Sequence, residues 1–260
     1  MSASLRRRTR VLALANQKGG VGKTATTANL GTALSRLGHR ILVVDMDPQG
    51  NLSASFGVQD RITHTIADSL LDREIDLPVV PVRNGLEGGL DLVPANATLA
   101  AAEASLSNKL GREFRLRDLL ATTGDRYKLV LIDTPPSLGL LTVNSLVAAS
   151  RVIVPTEARF FSLQGLQGLE ETISEVQYLN PTLKILGILL SKLDRRLREE
   201  QTVANYLRER WGELMFRTEI GTNSKILEAA SSGLAVLDVQ GGAKAAEQYM
   251  ELAREVLERG

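Results

Sequence analysis

Six short runs of almost uninterrupted apolar residues lie along the chain, separated by segments with helical spacing. The runs cover residues 11–15, 41–45, 90–94, 129–133, 152–155 and 185–190. Strands that are apolar on both faces are typical of a parallel sheet covered by helices on each side. Because strands that alternate with helices form right-handed βαβ units, we predict an α/β fold: a single doubly wound, mostly parallel sheet with helices on both faces.

Four of the intervening segments carry clear helix signals. In the first, an apolar stripe at helical spacing is followed by Gly38, which suits the position just beyond a helix C-terminus; the stripe consists of Leu30, Ala33, Leu34 and Leu37. A second helix is predicted over about 162–179, ending before Pro181. Two more are predicted at about 224–232 and 243–258.

The composition limits the classes of protein that remain. A net charge of +1 provides no overall field toward nucleic acid or membrane, so any such binding needs a local patch. The chain contains no cysteine, which excludes disulfides, thiolate metal sites and iron–sulfur clusters. No apolar run reaches the length of a membrane span, and the basic N-terminus lacks the apolar segment of a signal peptide. We expect a cytoplasmic protein with a flexible basic tail over 1–10 and one domain over 11–260.

A glycine-rich loop, NQKGGVGKT at 16–24, follows the first predicted strand and opens the first predicted helix. Backbone N–H groups and the positive end of the helix dipole converge there on the position of an anion. Lys23 would reach the β- and γ-phosphates of a nucleotide, and the Thr24 hydroxyl would bind Mg²⁺. The alternative is a turn that only caps the helix. It is disfavoured because the strand, the loop and the helix all agree with a phosphate site.

The loop departs from the strict pattern G-x-x-x-x-G-K-S/T, since Gln17 stands where that pattern needs glycine and Lys18 precedes the glycines. In both respects it resembles the deviant Walker A signature of the ParA/MinD family of Walker-type ATPases. The resemblance implies the fold of a P-loop NTPase, ATP with Mg²⁺, and an ATP-dependent homodimer. In such a dimer Lys18 would contact the phosphates bound by the partner, where a cation neutralises charge that develops during phosphoryl transfer. The implied nucleotide-binding residues are Lys18, Gly19, Gly20, Val21, Gly22, Lys23, Thr24 and Ala25.

Three aspartates follow predicted strands, at the sheet edge that lines the ligand crevice in doubly wound folds. A lone aspartate there would be read as a turn residue or a helix cap, but three beside a phosphate loop favour a site. The resemblance assigns Asp133 to holding Mg²⁺ through water and Asp47 to activating the attacking water, so that Lys18, Lys23 and Asp47 form the catalytic set. Asp45 would support the metal shell and the loop. The division of roles between Asp45 and Asp47 stays open.

The segments NQKGGVGKT, DMDPQGN and DTPPSLG look like those of short ParA proteins that partition chromosomes and plasmids. The chain departs from that pattern at two positions. Ala25 replaces a threonine that contacts the α-phosphate, which leaves this contact to the backbone. Gly221 replaces a proline that packs near adenine, which leaves recognition of the base open, with ATP as the expected nucleotide.

The segment 191–201, SKLDRRLREEQ, is rich in basic residues. From composition alone it is a solvated helix start whose cations pair with Glu199 and Glu200. In ParA proteins the positions that match Arg196 and Lys225 contact DNA without sequence preference. Because such contacts would be made to DNA phosphates, the binding would be salt-sensitive. It would also associate the protein with the nucleoid. The predicted DNA-binding residues are Arg195, Arg196, Arg198 and Lys225.

The resemblance implies that the ATP dimer coats nonspecific double-stranded DNA until a ParB-like centromere-binding protein triggers hydrolysis. It leaves open whether the cargo is a chromosome or a plasmid. One alternative is a MinD-like division-site ATPase, which ends in a basic helix that docks on lipid. Here the last helix is acidic and is expected to pack on the domain, so we expect no membrane partner. The other alternative is a nucleotide-gated DNA-binding scaffold with negligible turnover.

Overall fold

The computed structural model describes residues 9–84, 88–159 and 162–260, which contain one seven-stranded sheet. Its strands are β1 (Arg10–Leu14), β2 (Arg40–Asp45), β3 (Val80–Asn84), β4 (Gly89–Val93), β5 (Leu129–Asp133), β6 (Arg151–Thr156) and β7 (Lys184–Leu190). They are arranged in the order β3-β4-β2-β5-β1-β6-β7, and every neighbouring pair is parallel except β3 with β4. The predicted mostly parallel, doubly wound sheet is confirmed.

The α-helices of the described residues connect the strands and cover both faces of the sheet. They are α1 (Lys23–Arg36), α2 (Asn51–Ala54), α3 (Ile66–Leu71), α4 (Thr98–Leu106), α5 (Arg115–Ala121), α6 (Leu140–Ala148), α7 (Ser162–Val176), α8 (Arg198–Trp211), α9 (Ser224–Ser231) and α10 (Ala243–Arg259). Side chains of the inner strands alternate between one core on the α1 face of the sheet and two cores on the opposite face. Leu12 and Leu14 of β1 join the core beneath α1 and α10, whereas Ala13 faces the opposite core.

The helix after the phosphate loop follows its predicted pattern closely. Leu30, Ala33 and Leu34 are fully buried, and Gly38 adopts a φ of 85° just beyond the helix end. Because glycine alone adopts this left-handed conformation without a steric penalty, it ends α1 and turns the chain into β2. The helix thus has a fixed position over the sheet, with its N-terminus at the phosphate loop.

The structure departs from the sequence prediction in one strand and in the bounds of several elements. The edge strand β3 was missed because it contains Pro81 and Arg83 and lacks an apolar run on both faces; it pairs only with β4. Strand β1 begins at Arg10, within the predicted tail, and the Thr9 hydroxyl donates to the backbone oxygen of Tyr127 at 2.7 Å. Residues 1–8 of that tail lie outside the described residues. The helix predicted to reach residue 179 ends at Val176.

The C-terminal helix α10 packs on the domain, as expected. Tyr249, Leu252 and Val256 are buried in the core that α10 shares with α1. Glu255 is also buried, where it accepts hydrogen bonds from the backbone N–H groups of Arg217 and Thr218. The apolar face and one acidic residue of this helix are therefore used within the fold. None of the helices in the described ranges is both long and apolar enough to cross a membrane.

Register between the central strands brings the predicted site together. Leu14 of β1 and Asp45 of β2 both pair with Asp133 of β5, so these three strands end level with one another. The phosphate loop therefore leaves the sheet beside two of the three aspartates.

Candidate nucleotide-binding site

The loop between β1 and α1 has the backbone shape of a phosphate cradle. Gly20 and Gly22 have φ values of 76° and 86°, in the left-handed region that favours glycine. Gly22 is the N-cap of α1, and no described side chain caps the helix there. Because the first turn of α1 also carries no acidic residue, its N–H groups and dipole remain available for an anion.

The side chain of Lys23 lies inside this loop. Its Nζ donates to the backbone oxygens of Asn16, at 3.1 Å, and Lys18, at 3.4 Å. Burial lowers the pKa of Lys23, while the nearby carboxylates of Asp133 and Asp47 act in the opposite direction. The ammonium group is thus held at the base of the cradle by two long hydrogen bonds to carbonyl oxygens. A phosphate, as a stronger acceptor, would replace them.

Asn16 is a structural residue of the loop that the sequence analysis did not single out. Its side-chain amide donates to the backbone oxygen of Pro155 at 2.8 Å, and its Oδ1 accepts from the N–H of Lys18 at 2.9 Å. These two bonds tie the loop to the end of β6. The only signal available in the sequence was a polar amide directly after an apolar strand.

Asp133 and Thr24 form the part of the site suited to a metal ion. The Thr24 hydroxyl donates to Oδ2 of Asp133 at 2.6 Å, and that carboxyl group is fully buried. Burial, followed by the charge of Asp45, raises the pKa of Asp133 well above its ordinary value. A hydroxyl and a carboxylate beside a phosphate loop are the oxygen ligands that Mg²⁺ uses together with substrate phosphates.

Asp45 has a different local role, which bears on the division between it and Asp47. Its Oδ1 accepts from the N–H of Asp47 at 3.1 Å, and its Oδ2 accepts from the N–H and hydroxyl of Ser53 at 2.9 and 2.7 Å. Burial outweighs these bonds and raises the pKa of Asp45 to about 6. Both oxygens are therefore engaged in shaping the loop from 45 to 53, and a role of Asp45 in the metal shell stays a prediction.

Asp47 sits on that loop and lines a cavity of 580 Å³. Its Oδ1 accepts from the N–H of Gln49 at 2.9 Å, which fixes the carboxylate. The cavity is polar at one end, where the phosphate loop and Lys192 lie. Apolar residues of α9 and of the turn after it form the rest of the lining; these are Ile226, Leu227, Ala230 and Leu234. Its volume and its two-sided chemistry suit a nucleotide.

Gly221 does not line this cavity. It belongs to a neighbouring one of 600 Å³ between the loop after β7 and the start of α10, where its N–H donates to Oε1 of Gln248 at 3.2 Å. Gly221, which replaces the expected proline, therefore lies beside the nucleotide cavity. The apolar wall of that cavity is formed by residues of α9.

Lys18 contacts its own chain at this site. Its Nζ lies 3.3 Å from Oε2 of Glu157, and about a third of its side chain is exposed. The contact across a dimer that the resemblance implies concerns a second copy of the chain and stays a prediction.

The basic residues after β7 form ion pairs other than the expected ones. Arg195 donates two bonds to Glu219, at 3.0 and 2.6 Å, and Arg196 donates two to Asp194, at 2.9 and 2.7 Å. Lys225 pairs with Glu228, and Arg198 is the first residue of α8. The expected pairing with Glu199 and Glu200 was wrong for Arg195 and Arg196, because α8 begins only at Arg198. Glu200 instead accepts from the N–H of Asp194.

Two segments that carry these residues are adjacent in space. Leu193 forms a parallel bridge with Gly221, and its N–H donates to the backbone oxygen of Ile220 at 3.1 Å. Arg196, on the loop after β7, and Lys225, in the first turn of α9, therefore lie on adjacent segments, and their contact with DNA stays a prediction.

Comparison with known proteins agrees with this geometry. An AAA domain family model matches residues 9–185. The chromosome partitioning protein ParA of Caulobacter vibrioides is 43% identical over 253 residues, which covers 96% of this chain and 94% of that protein. The chain belongs to the ParA family. Another ParA-family relative, the sporulation initiation inhibitor protein Soj of Bacillus subtilis, is 37% identical over 96% of this chain and 99% of its own length.

A solved structure supports the same fold. It is described as cobyrinic acid a,c-diamide synthase from Mycobacterium smegmatis with bound ADP and magnesium, and it is 38% identical to this chain. The alignment covers 96% of this chain and 94% of the other, with a TM-score of 0.81. The fold of this ParA-family chain is thus one in which a protein of similar sequence holds a nucleotide and a magnesium ion.

The raised pKa of Asp133 predicts how the stability of the folded protein depends on pH. Folding raises its pKa above the ordinary 3.8, so this carboxyl group destabilises the folded state increasingly as the pH rises from 3.8 toward the folded pKa, and it has no effect below 3.8. We expect Asp133→Asn to raise the unfolding midpoint of the nucleotide-free protein by about 2–4 °C at pH 7.5, equivalent to ~1 kcal/mol, with the gain disappearing as the pH falls toward 4.

Thermal unfolding between pH 4 and 8 measures this effect, with Asp125→Asn on an exposed turn as the control. A gain in midpoint that is the same at every pH would show that packing, and not charge, is responsible.

Proposed function

We propose that this ParA-family chain is an ATPase that binds ATP with Mg²⁺ and segregates DNA. The observation that carries the proposal is the deviant phosphate loop, in which Lys23 lies in the cradle and Thr24 contacts Asp133. The similarity to ParA of C. vibrioides and to a protein crystallised with ADP and magnesium supports both parts.

ATP would bind with its phosphates at the glycine-rich loop and its base toward α9. Lys23 would exchange the carbonyls of Asn16 and Lys18 for the β- and γ-phosphates, because a phosphate oxygen is a far stronger acceptor for an ammonium group. The base would pack on the apolar wall that contains Ile226 and Leu227. Ala25 lines the cavity without a side-chain hydroxyl, so its backbone N–H would serve the α-phosphate.

The oxygens of Thr24 and Asp133 would hold Mg²⁺, with the carboxylate acting through water. The ion supplies positive charge that neutralises the phosphates during transfer. Asp47, held by Gln49 and Asp45, would orient the attacking water and accept its proton. Burial of these carboxylates gives each of them a strong electrostatic effect inside the site.

In the dimer that we propose, Lys18 would leave Glu157 and reach the phosphates of the partner. Arg195, Arg196, Arg198 and Lys225 of both chains would then contribute to one basic surface for nonspecific double-stranded DNA, with hydrolysis stimulated by a ParB-like protein. Present ion pairs at Arg196 and Lys225 are exposed and weak, so DNA phosphates can displace their carboxylates. This cycle implies a cytoplasmic, nucleoid-associated protein.

The MinD-like alternative is less well supported, because the apolar face of α10 is used in the core. The scaffold alternative differs from an ATPase in turnover. We expect steady ATP hydrolysis that DNA and a ParB-like partner increase, and that Asp47→Asn reduces at least tenfold without loss of ATP binding. Phosphate release assays measure both. Hydrolysis no faster than that of Asp47→Asn under all conditions would favour the scaffold.

Replacing Lys18 tests the proposed dimer. We expect Lys18→Ala to abolish dimerisation with a nonhydrolysable ATP analogue, because the cation that would join the two nucleotide sites is missing. Binding of a fluorescent ATP analogue should change less than threefold. Sedimentation velocity measures the dimer, and Lys184→Ala, at an exposed lysine at the other end of the sheet, is the control. An unchanged dimer in Lys18→Ala would remove Lys18 from the interface.

Replacing Arg196 tests the proposed DNA surface. Arg196→Ala should weaken ATP-dependent DNA binding about fivefold or more, and by a similar factor for unrelated DNA sequences. The salt dependence of binding should also fall, because each dimer loses two phosphate contacts. Fluorescence anisotropy at several salt concentrations measures this. Arg117→Ala is the matched control because Arg117 is also exposed and paired with a nearby aspartate. Equal affinity for the two variants would contradict the DNA surface.

A further inference from the structure

Glu157, at the end of β6, is a carboxylate shared by several cations. Lys18 Nζ lies 3.3 Å from its Oε2, Arg159 Nε lies 3.5 Å from the same oxygen, and Lys192 Nζ lies 3.6 Å from its Oε1. The Glu157 side chain is only 14% exposed. Two lysines from separate loops therefore meet on one mostly buried carboxylate beside the phosphate cradle.

Lys192 is held in place by its backbone. Its φ of 54° is the only positive value at a non-glycine residue in the described part of the chain. This conformation is unfavourable for lysine and persists only where the surroundings enforce it. Here the Thr222 hydroxyl donates to the backbone oxygen of Lys192 at 2.8 Å, and Leu193 bridges to the neighbouring segment.

The side chain of Lys192 extends over the phosphate loop. Its Nζ donates to the backbone oxygen of Gly20, and the residue lines the nucleotide cavity. Lys18 and Lys192 thus approach Glu157 across the loop, each bound to a different carboxylate oxygen. This arrangement couples the two lysines through Glu157, since removal of one cation strengthens the hold on the other.

The proposed dimer requires Lys18 to leave Glu157. Departure of one partner from a mostly buried ion pair leaves a carboxylate with too little compensation, which is unfavourable. Lys192 reduces this effect because it remains on Glu157, together with Arg159, when Lys18 departs. By the same argument Glu157 opposes the release of Lys18, since it holds that lysine in the nucleotide-free chain.

We propose that Lys192 is a positioning residue that shares Glu157 with Lys18 and thereby lowers the ATP concentration needed to release Lys18 for dimerisation. The inference rests on the proposed ATP-dependent dimer. Lys192 acts through Glu157, because the two lysines compete for the same carboxylate. A direct contact between Lys192 and the bound phosphates is a different mechanism, which a pair of variants separates.

The test is the concentration of nonhydrolysable ATP analogue that gives half-maximal dimer in sedimentation velocity. Lys192→Met should raise this midpoint about five- to tenfold, and Lys192→Arg should restore it to within twofold of the wild type. Glu157→Gln should lower the midpoint. In the Glu157→Gln background, Lys192→Met should have no further effect, because the shared carboxylate is gone.

Lys192→Gly tests whether a raised midpoint results from misfolding. It removes the cation and also relieves the unfavourable φ, so it should be at least as stable to heat as the wild type while showing the raised midpoint. A normal midpoint in this variant, despite loss of the cation, would assign the effect to the backbone and overturn the proposal.

The remaining outcomes separate this inference from the proposed function. If Lys192→Met raises the midpoint equally with and without Glu157, Lys192 binds phosphate directly and the proposal fails. If it changes nothing, the proposal also fails, although the dimer stands. If the wild type binds the fluorescent analogue but never dimerises, the proposed dimer fails and this inference fails with it.

Discussion

The site depends on the burial of like charges at the carboxyl edge of the sheet. Asp45 and Asp133 pair in register on adjacent strands, and each carboxyl group is without solvent contact. Burial and the charge of Asp45 both raise the pKa of Asp133, and within the described ranges Lys23 is the buried cation that acts against this effect. A ligand that brings a divalent cation therefore relieves an unfavourable electrostatic arrangement that the fold itself creates. The loops around this edge can be understood as ways of holding those charges in position.

Two of these loops are shaped by hydrogen bonds of buried polar side chains. Asp45 and Ser53 define the path of the segment that presents Asp47, and Ser53 further accepts from the N–H of Ala95. Asn16 plays the equivalent part for the phosphate loop. The segment that presents Asp47 and the phosphate loop are thus each supported by a buried polar side chain, which keeps their geometry accurate enough for chemistry.

The sequence was sufficient for the sheet, for α1 and for the phosphate loop, because these depend on local periodicity and on glycine positions. It was insufficient where a partner comes from a distant segment. The pairing of Arg195 with Glu219 and of Lys18 with Glu157 joins residues far apart in the chain, and no periodicity records such contacts. Strand β3 was missed for a related reason: an edge strand needs only one apolar face, so its pattern resembles a loop.

Helix α1, which begins at the phosphate loop, is covered by α10, the last helix of the fold, and Tyr249 of α10 is fully buried between them. A nascent chain on the ribosome has made the glycine-rich loop long before it has made this cover. Until α10 emerges, the apolar face of α1 has no partner there, so the early segments await the late one before they can complete their core.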